Sequence, residues 1–160
     1  MTTADDDLVR RAFAKVATNV AIVTTGGPDG VHGATANGWG ELPGEPVLLV
    51  TLTQESNSLA RVRASGRFAV NLLHDGQESL ARRFARPEAR PGERFDGIGY
   101  HQLADNVVLD DCLAAFSCRV VETFPFGARQ IVVGSVEDVE LGDGGPLLFF
   151  DRGFAKHERS

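Results

Sequence analysis

Ala115 to Glu140 reads AFSCRVVETFPFGARQIVVGSVEDVE. Its two halves, Ala115 to Thr123 and Gln130 to Glu140, are rich in Val, Ile, Phe and Thr and alternate in part, which predicts two long strands about a short turn. Val107 to Leu109 precedes them as another strand, and Leu147 to Phe150 follows after the GDGGP turn. No helical periodicity intervenes. Strands joined without crossover helices pair antiparallel, so this half of the chain predicts a barrel or sandwich and argues against a doubly wound parallel sheet.

Working back from this region, Asp5, Asp6 and Asp7 put negative charge at a helix start. Val9, Ala12, Phe13 and Val16 share one helical face, giving a helix from about Asp6 to Val16. Val20 to Thr25 is a β-branched run, and GGPDG from Gly26 to Gly30 reads as a hairpin turn into a second extended segment from Val31. Gly26 to Gly33 matches neither GxxxxGK[ST] nor GxGxxG, and it leads into strand-like residues instead of a helix. ELPGEP breaks the chain before the apolar strand Val47 to Leu52. Ser56 caps a short helix from Asn57 to about Ala64, with Leu59 and Val62 inward, and Gly66 ends it. Phe68 to Leu73 is a strand carrying one amide, Asn71, on its second face. Asp75 and Glu78 resemble a capping box for a helix with Leu80, Ala81 and Phe84 inward, ending before Pro87. His32 to Leu73 therefore gathers a small polar segment, a buried strand and a Ser/Asn-rich helix start, the donor types that a pocket for a planar ligand with a phosphate tail requires.

Composition bounds the rest. The chain has 160 residues and 17.2 kDa, which fits one domain over 1–160, and 42% hydrophobic content suits a globular protein. Eighteen glycines, ten phenylalanines and a single methionine favour turns and strands over bundled helices. A net charge of -6 and a pI near 5.2 argue against a nucleic-acid partner. Cys112 and Cys118 lack the clustered His and Asp partners of a metal site, and no histidine pair has metal-helix spacing, so no metal is expected. No G-x-S-x-G elbow occurs. The first residues hold no apolar run of signal length, and nowhere do about 18 apolar residues run together, so no membrane span and a cytoplasmic location are expected. Arg82, Arg83, Arg86, Arg90 and Arg94 form a basic island that reads either as a solvated loop face or as an anion-binding rim for a pyrophosphate. Trp39 suits a core or interface anchor, or a ring stacked on a ligand.

With VATNVAIVTT, HGATAN before a broken loop and VLLV, SNSLARVRASGRFAVNLL, LARRFA with RFDG, FSCRVVE and GDGGPLLFFDRGF in this order, the chain resembles the flavin reductase-like family from about Leu8 to Phe154. The resemblance implies a mainly β fold with peripheral helices, an FMN-binding split β-barrel of antiparallel Greek-key type. It implies NAD(P)H-dependent reduction of FMN or FAD, with NADH or NADPH as reductant, and supply of reduced flavin to a two-component monooxygenase by a homodimer. In the same terms, Thr35, Ala36, Asn37 and Gly38 lie along the flavin edge, Gly38 standing where the family often has serine. Ser56, Asn57 and Ser58 hold the flavin phosphate, with Asn57 in place of a basic residue, and the Asn71 strand runs beside the site. At FGARQIVVG the family commonly shows Gly-Asp-His, and Ala128 and Arg129 stand at the last two positions. Arg129 is then the residue set to meet the nicotinamide cofactor, since a guanidinium suits bidentate phosphate contact. Two other readings accompany this one: a flavin-bound oxidoreductase acting on a small molecule in a biosynthetic pathway, and a flavin-free binding or accessory subunit on the same fold.

Overall fold

A computed structural model describes residues 4–27, 30–36 and 38–159. Three helices, α1 (Asp6–Phe13), α2 (Asn57–Ser65) and α3 (Glu78–Ala85), accompany twelve strands. The strands are β1 (Thr18–Asn19), β2 (Ala21–Thr25), β3 (His32–Ala36), β4 (Trp39–Glu41), β5 (Val47–Thr53), β6 (Arg67–Leu72), β7 (Tyr100–Leu103), β8 (Asn106–Leu109), β9 (Ala114–Phe126), β10 (Arg129–Leu141), β11 (Leu147–Phe150) and β12 (Gly153–Lys156). Every ladder among the described residues is antiparallel, as the missing crossover helices required.

Seven strands form the main sheet in the order β3-β2-β6-β9-β10-β5-β4. Its two edge strands, β3 and β4, are joined by residues 37 and 38 alone, so the sheet curls until its edges meet. One stretch of chain thus pairs first with β2 and then with β5, and the barrel splits where it changes partner. β5 and β6 are consecutive yet lie in different halves of the sheet, and the connection between them, the long link of a Greek key, carries α2. α2 buries Leu59 and Val62 against Val23, Val50, Phe68, Val70, Cys118 and Val132, the core inside the barrel. On the outer face of β2, α3 and a 3₁₀ turn (Glu93–Phe95) cover Ile22, Leu73, Leu109, Cys112 and Leu147 with Phe84 and Phe95, whose rings meet edge to face at 5.0 Å.

Gly134 marks the place where the β9–β10 hairpin bends. A Cβ there would lie 2.6 Å from Phe68, and the ladder slips between Val133 and Gly134 and again between Val136 and Asp138. Such bulges bend the pair; beyond them β9 exposes Val121, Phe124 and Phe126 on the outer edge of an arm whose β10 stays laddered to β5 as far as Arg129.

Two sequence expectations are corrected at element ends. α1 stops at Phe13 instead of Val16, and none of its residues is buried; Leu8 and Phe13 stay exposed, with no buried apolar partner among the described residues. Asp75 does not cap α3: the N-cap is Gln77, and the Asp75 backbone N–H donates to Gly145 O at 3.0 Å in a bridge between loops. The hairpin after β2 forms, but its Pro28 and Asp29 lie outside the described residues. By contrast, Ser56 caps α2 and Gly66 ends it in the left-handed conformation at φ 69°, both as expected.

Candidate functional site

Beside the split lies a cleft of about 700 Å³. Thr35, Ala36, Gly38 and Trp39 line one side, Ala81, Arg82 and Ala85 of α3 with Arg86 just past its end a second, and Phe149 and Phe154 of the β11–β12 hairpin a third. α3 comes this close because β3 carries glycine at position 33, where a Cβ would meet Phe84 Cε1 at 2.8 Å. The Thr35 hydroxyl fixes the seam by donating to Ala81 O at 2.8 Å. The Trp39 indole N–H donates to Asn19 O at 2.9 Å, and the Asn19 amide in turn donates to the carbonyls of Val20, Leu73 and Leu147. The Arg82 guanidinium lies 4.8 Å from the centre of the Phe154 ring. Small residues at Ala36, Gly38, Ala81 and Ala85 leave a slot, and Trp39, Phe149 and Phe154 give it aromatic walls, a shape and chemistry that fit a flat heteroaromatic ring. Gly38 belongs to that shape, since a Cβ there would stand 2.5 Å from Thr51 Oγ1.

β3 connects the cleft to the start of α2. Thr35 and Ala36 line the cleft, and His32 at the other end of the strand has Nε2 3.0 Å from Ser58 Oγ and Nδ1 3.5 Å from the Asn57 amide. Glu88 Oε2 lies 3.8 Å from His32 Nδ1. Burial lowers the His32 pKa below the ordinary histidine value against the pull of Glu88, with Arg61 and Arg94 lowering it further, so the imidazole is neutral at pH 7. Ser56 accepts the Leu59 N–H at 3.2 Å as the helix cap.

The candidates from the sequence therefore divide. Thr35, Ala36 and Gly38 meet in the cleft; Ser56, Asn57 and Ser58 gather at the α2 N-terminus along the same strand; Asn37 lies outside the described residues. Asn71 is in neither group. It is fully buried, its amide donates to Ile22 O and Thr24 Oγ1, and its carbonyl accepts Leu109 N–H at 2.8 Å, so its side chain joins β2, β6 and β8 and is closed to a ligand. Arg129 stands exposed at the tip of the arm, where its carbonyl accepts the Gln54 amide at 2.9 Å, and it does not line the cleft of its own chain. Sequence reasoning missed the α3 wall and the two phenylalanines. Ala81 and Ala85, small residues one helical turn apart, were the available signal for the first.

An antiparallel split barrel with a flat slot, joined along one strand to a helix N-terminus, offers room for a ring and donors for an anionic tail. The chain belongs to the flavin reductase-like family, whose domain model matches residues 13–158. It is therefore an oxidoreductase by family. Actinorhodin polyketide dimerase of Streptomyces coelicolor is 37% identical over 95% of this chain and 86% of its own. The reductase component of 4-hydroxyphenylacetate 3-monooxygenase from Thermus thermophilus is 35% identical over 92% and 93%. Among solved structures, native flavin reductase PheA2 superposes with a TM-score of 0.87 at 31% identity, covering 98% of this chain and all of that one.

Proposed function

We propose that the chain binds FMN or FAD in the cleft and reduces it with NADH or NADPH, supplying reduced flavin to a two-component monooxygenase. The slot between Trp39, α3 and the β11–β12 hairpin carries this reading, because its small-residue lining and aromatic walls accept a flat ring. A bound flavin supplies the hydride-accepting chemistry, so the protein has to provide stacking, distance and electrostatics and no acid or base for the transfer itself. Thr35, Ala36, Asn37 and Gly38 lie along the ring edge in this proposal. Ser56, Asn57 and Ser58 hold the phosphate with the free N–H groups of the helix start. Trp39, Phe149 and Phe154 exclude water from the ring.

Arg129 meets the nicotinamide cofactor only if the arm reaches a cleft on another chain, which fits a homodimer. Phe126, 78% exposed, with Phe124 and Val121 on the same arm, supports that assembly. Residues 1–160 act as one flavin reductase-like domain, supported by the span of the family match. No helix among the described residues is long and apolar enough to cross a membrane, and two free thiols suit a cytoplasmic setting.

The test is to mix the purified protein with FMN or FAD and NADH or NADPH and follow nicotinamide absorbance. Loss of reduced nicotinamide supports the reading, and no loss in all four mixtures sinks it. A second reading, a flavin-bound oxidoreductase acting on a small molecule in a biosynthetic pathway, is favoured by Arg129 standing where the family commonly has histidine and by the relative named as a polyketide dimerase. A chromophore retained through purification, with slow nicotinamide oxidation, distinguishes it.

A further inference from the structure

We propose that Asn19 is a positioning residue for the ring that the cleft accepts: it holds the aromatic walls of the slot, Trp39 on one side and the β11–β12 hairpin on the other, at a fixed separation. This role rests on the flavin reading and deepens it by naming the residue on which the fit of the ring depends.

The walls belong to different sheets. Trp39 lies on β4, an edge of the seven-stranded sheet, whereas Phe149 and Phe154 lie on a three-stranded sheet of order β1-β11-β12. The ladder from β11 to β1 has two residue pairs, Phe149 with Thr18 and Leu148 with Asn19. A closed triangle of backbone bonds sets one sheet against the other. The Val20 N–H donates to Leu147 O at 2.8 Å, the Leu147 N–H to Leu73 O at 3.0 Å, and the Leu73 N–H to Val20 O at 3.0 Å. The Asn19 amide nitrogen stands 3.2, 3.3 and 3.1 Å from the carbonyls of Val20, Leu73 and Leu147, and its two hydrogens are shared among them. Each carbonyl has a second lone pair for this donor, so the amide reinforces the whole triangle.

The same residue anchors the opposite wall. The Asn19 backbone carbonyl accepts the Trp39 indole N–H at 2.9 Å, and Asn19 itself lines the cleft. Any shift of Asn19 therefore moves the anchor of Trp39 and the base of the hairpin together. A gap of about 0.5–1 Å on one face of a ring forfeits about a quarter to a half of its dispersion contact there. The far end of the hairpin is tied down separately: the Asp151 N–H donates to Ala14 O at 2.7 Å, and the Asp151 carboxylate pairs with Lys15 at 3.2 Å. Loss of the Asn19 amide thus alters the slot without detaching the hairpin.

The experiment compares the wild type with Asn19→Ala, which removes the amide, and Asn19→Leu, which removes it and keeps its volume. Asn71→Ala is the control, because it deletes another side-chain amide that serves backbone groups closed to the ligand. FMN, and riboflavin, which lacks the phosphate, are titrated calorimetrically into each protein, and thermal midpoints check that each folds. Trp39 is the one tryptophan of the chain, so its emission and acrylamide quenching in the flavin-free proteins report on that wall directly. Both Asn19 variants are expected to bind FMN and riboflavin about tenfold more weakly, by the same factor, with Trp39 emission moved to the red and more readily quenched. Asn71→Ala lowers the midpoint and leaves both flavin affinity per folded molecule and Trp39 emission at wild-type values. Folded Asn19 variants with unchanged flavin affinity, with unmoved Trp39 emission, or with a loss confined to FMN overturn the proposal. So does an equal loss of flavin affinity in Asn71→Ala, which would trace the effect to stability alone. If the wild type binds neither FMN nor riboflavin, the flavin reading itself fails, and this inference with it.

Discussion

A serine at position 38 would bring its Cβ against Thr51 Oγ1, so a hydroxyl cannot be added there unless Thr51 moves. Gly38→Ser is expected to cost about 1–3 kcal/mol in urea unfolding and to weaken flavin binding, because overpacking a strand shifts its neighbours. Adding Thr51→Ala should recover most of both losses. A double mutant no better than the single one would show that the contact is not the cause. Asn71 makes a different expectation, since its amide and carbonyl satisfy three buried groups at once. Asn71→Ala leaves the Leu109 N–H and the Ile22 carbonyl without that partner, which costs about 2–3 kcal/mol. Flavin affinity per folded molecule should stay unchanged. The sequence shows an amide in an apolar run and says nothing of which backbone it serves, because its partners on β2 and β8 are 49 and 38 residues away.

At the scale of elements, the β11–β12 hairpin turns through Asp151 and Arg152 at φ 51° and 66°, so both central residues are left-handed without a glycine. That conformation suits the twist of a two-residue hairpin and costs a non-glycine residue about 1 kcal/mol. Arg152→Gly should raise the melting temperature by roughly 2–4 °C in a thermal scan. An unchanged or lower midpoint would mean that the arginine side chain contributes as much as the backbone strain removes. The longer strands were legible because their apolar runs exceed any turn signal: β5, β6, β9 and β10 appear in the sequence within a few residues of their ends. β1, β4 and β12 were not, because strands of two to four residues are defined by a partner far along the chain; Thr18 pairs with Phe149. The cleft shares that difficulty. Thr35 to Gly38 is a local pattern, whereas the opposing Ala81, Phe149 and Phe154 reach it only through the sheet.

For the molecule as a whole, two histidines oppose each other across the pH scale. His32, held below its usual pKa by burial, takes up protons more readily in the unfolded chain, so its contribution is complete above about pH 6.5 and is lost as pH falls toward its folded value. The slope is at most about 1.4 kcal/mol per pH unit for one proton. His101 lies 2.8 Å from Glu140 and 2.5 Å from Asp110, which raise its pKa and let the cation tie the β7–β8 hairpin to β10. Its contribution is complete below about pH 6.5 and is lost as pH rises through the raised value. Melting temperatures across pH 5 to 9 should therefore show a fall on the acid side that His32→Asn flattens and one on the alkaline side that His101→Gln flattens. Neither variant changing its own limb would remove the assignment. The core placement of Cys118 inside the barrel and Cys112 beneath α3 has a practical result for chemical labelling. Burial pushes both thiols up to about 12, so in the folded protein neither offers a thiolate or an open path to a maleimide at neutral pH. The native chain should stay unmodified until denatured, and a single cysteine placed at the exposed Ser79 would then carry a fluorophore to the first turn of α3 with no native thiol removed.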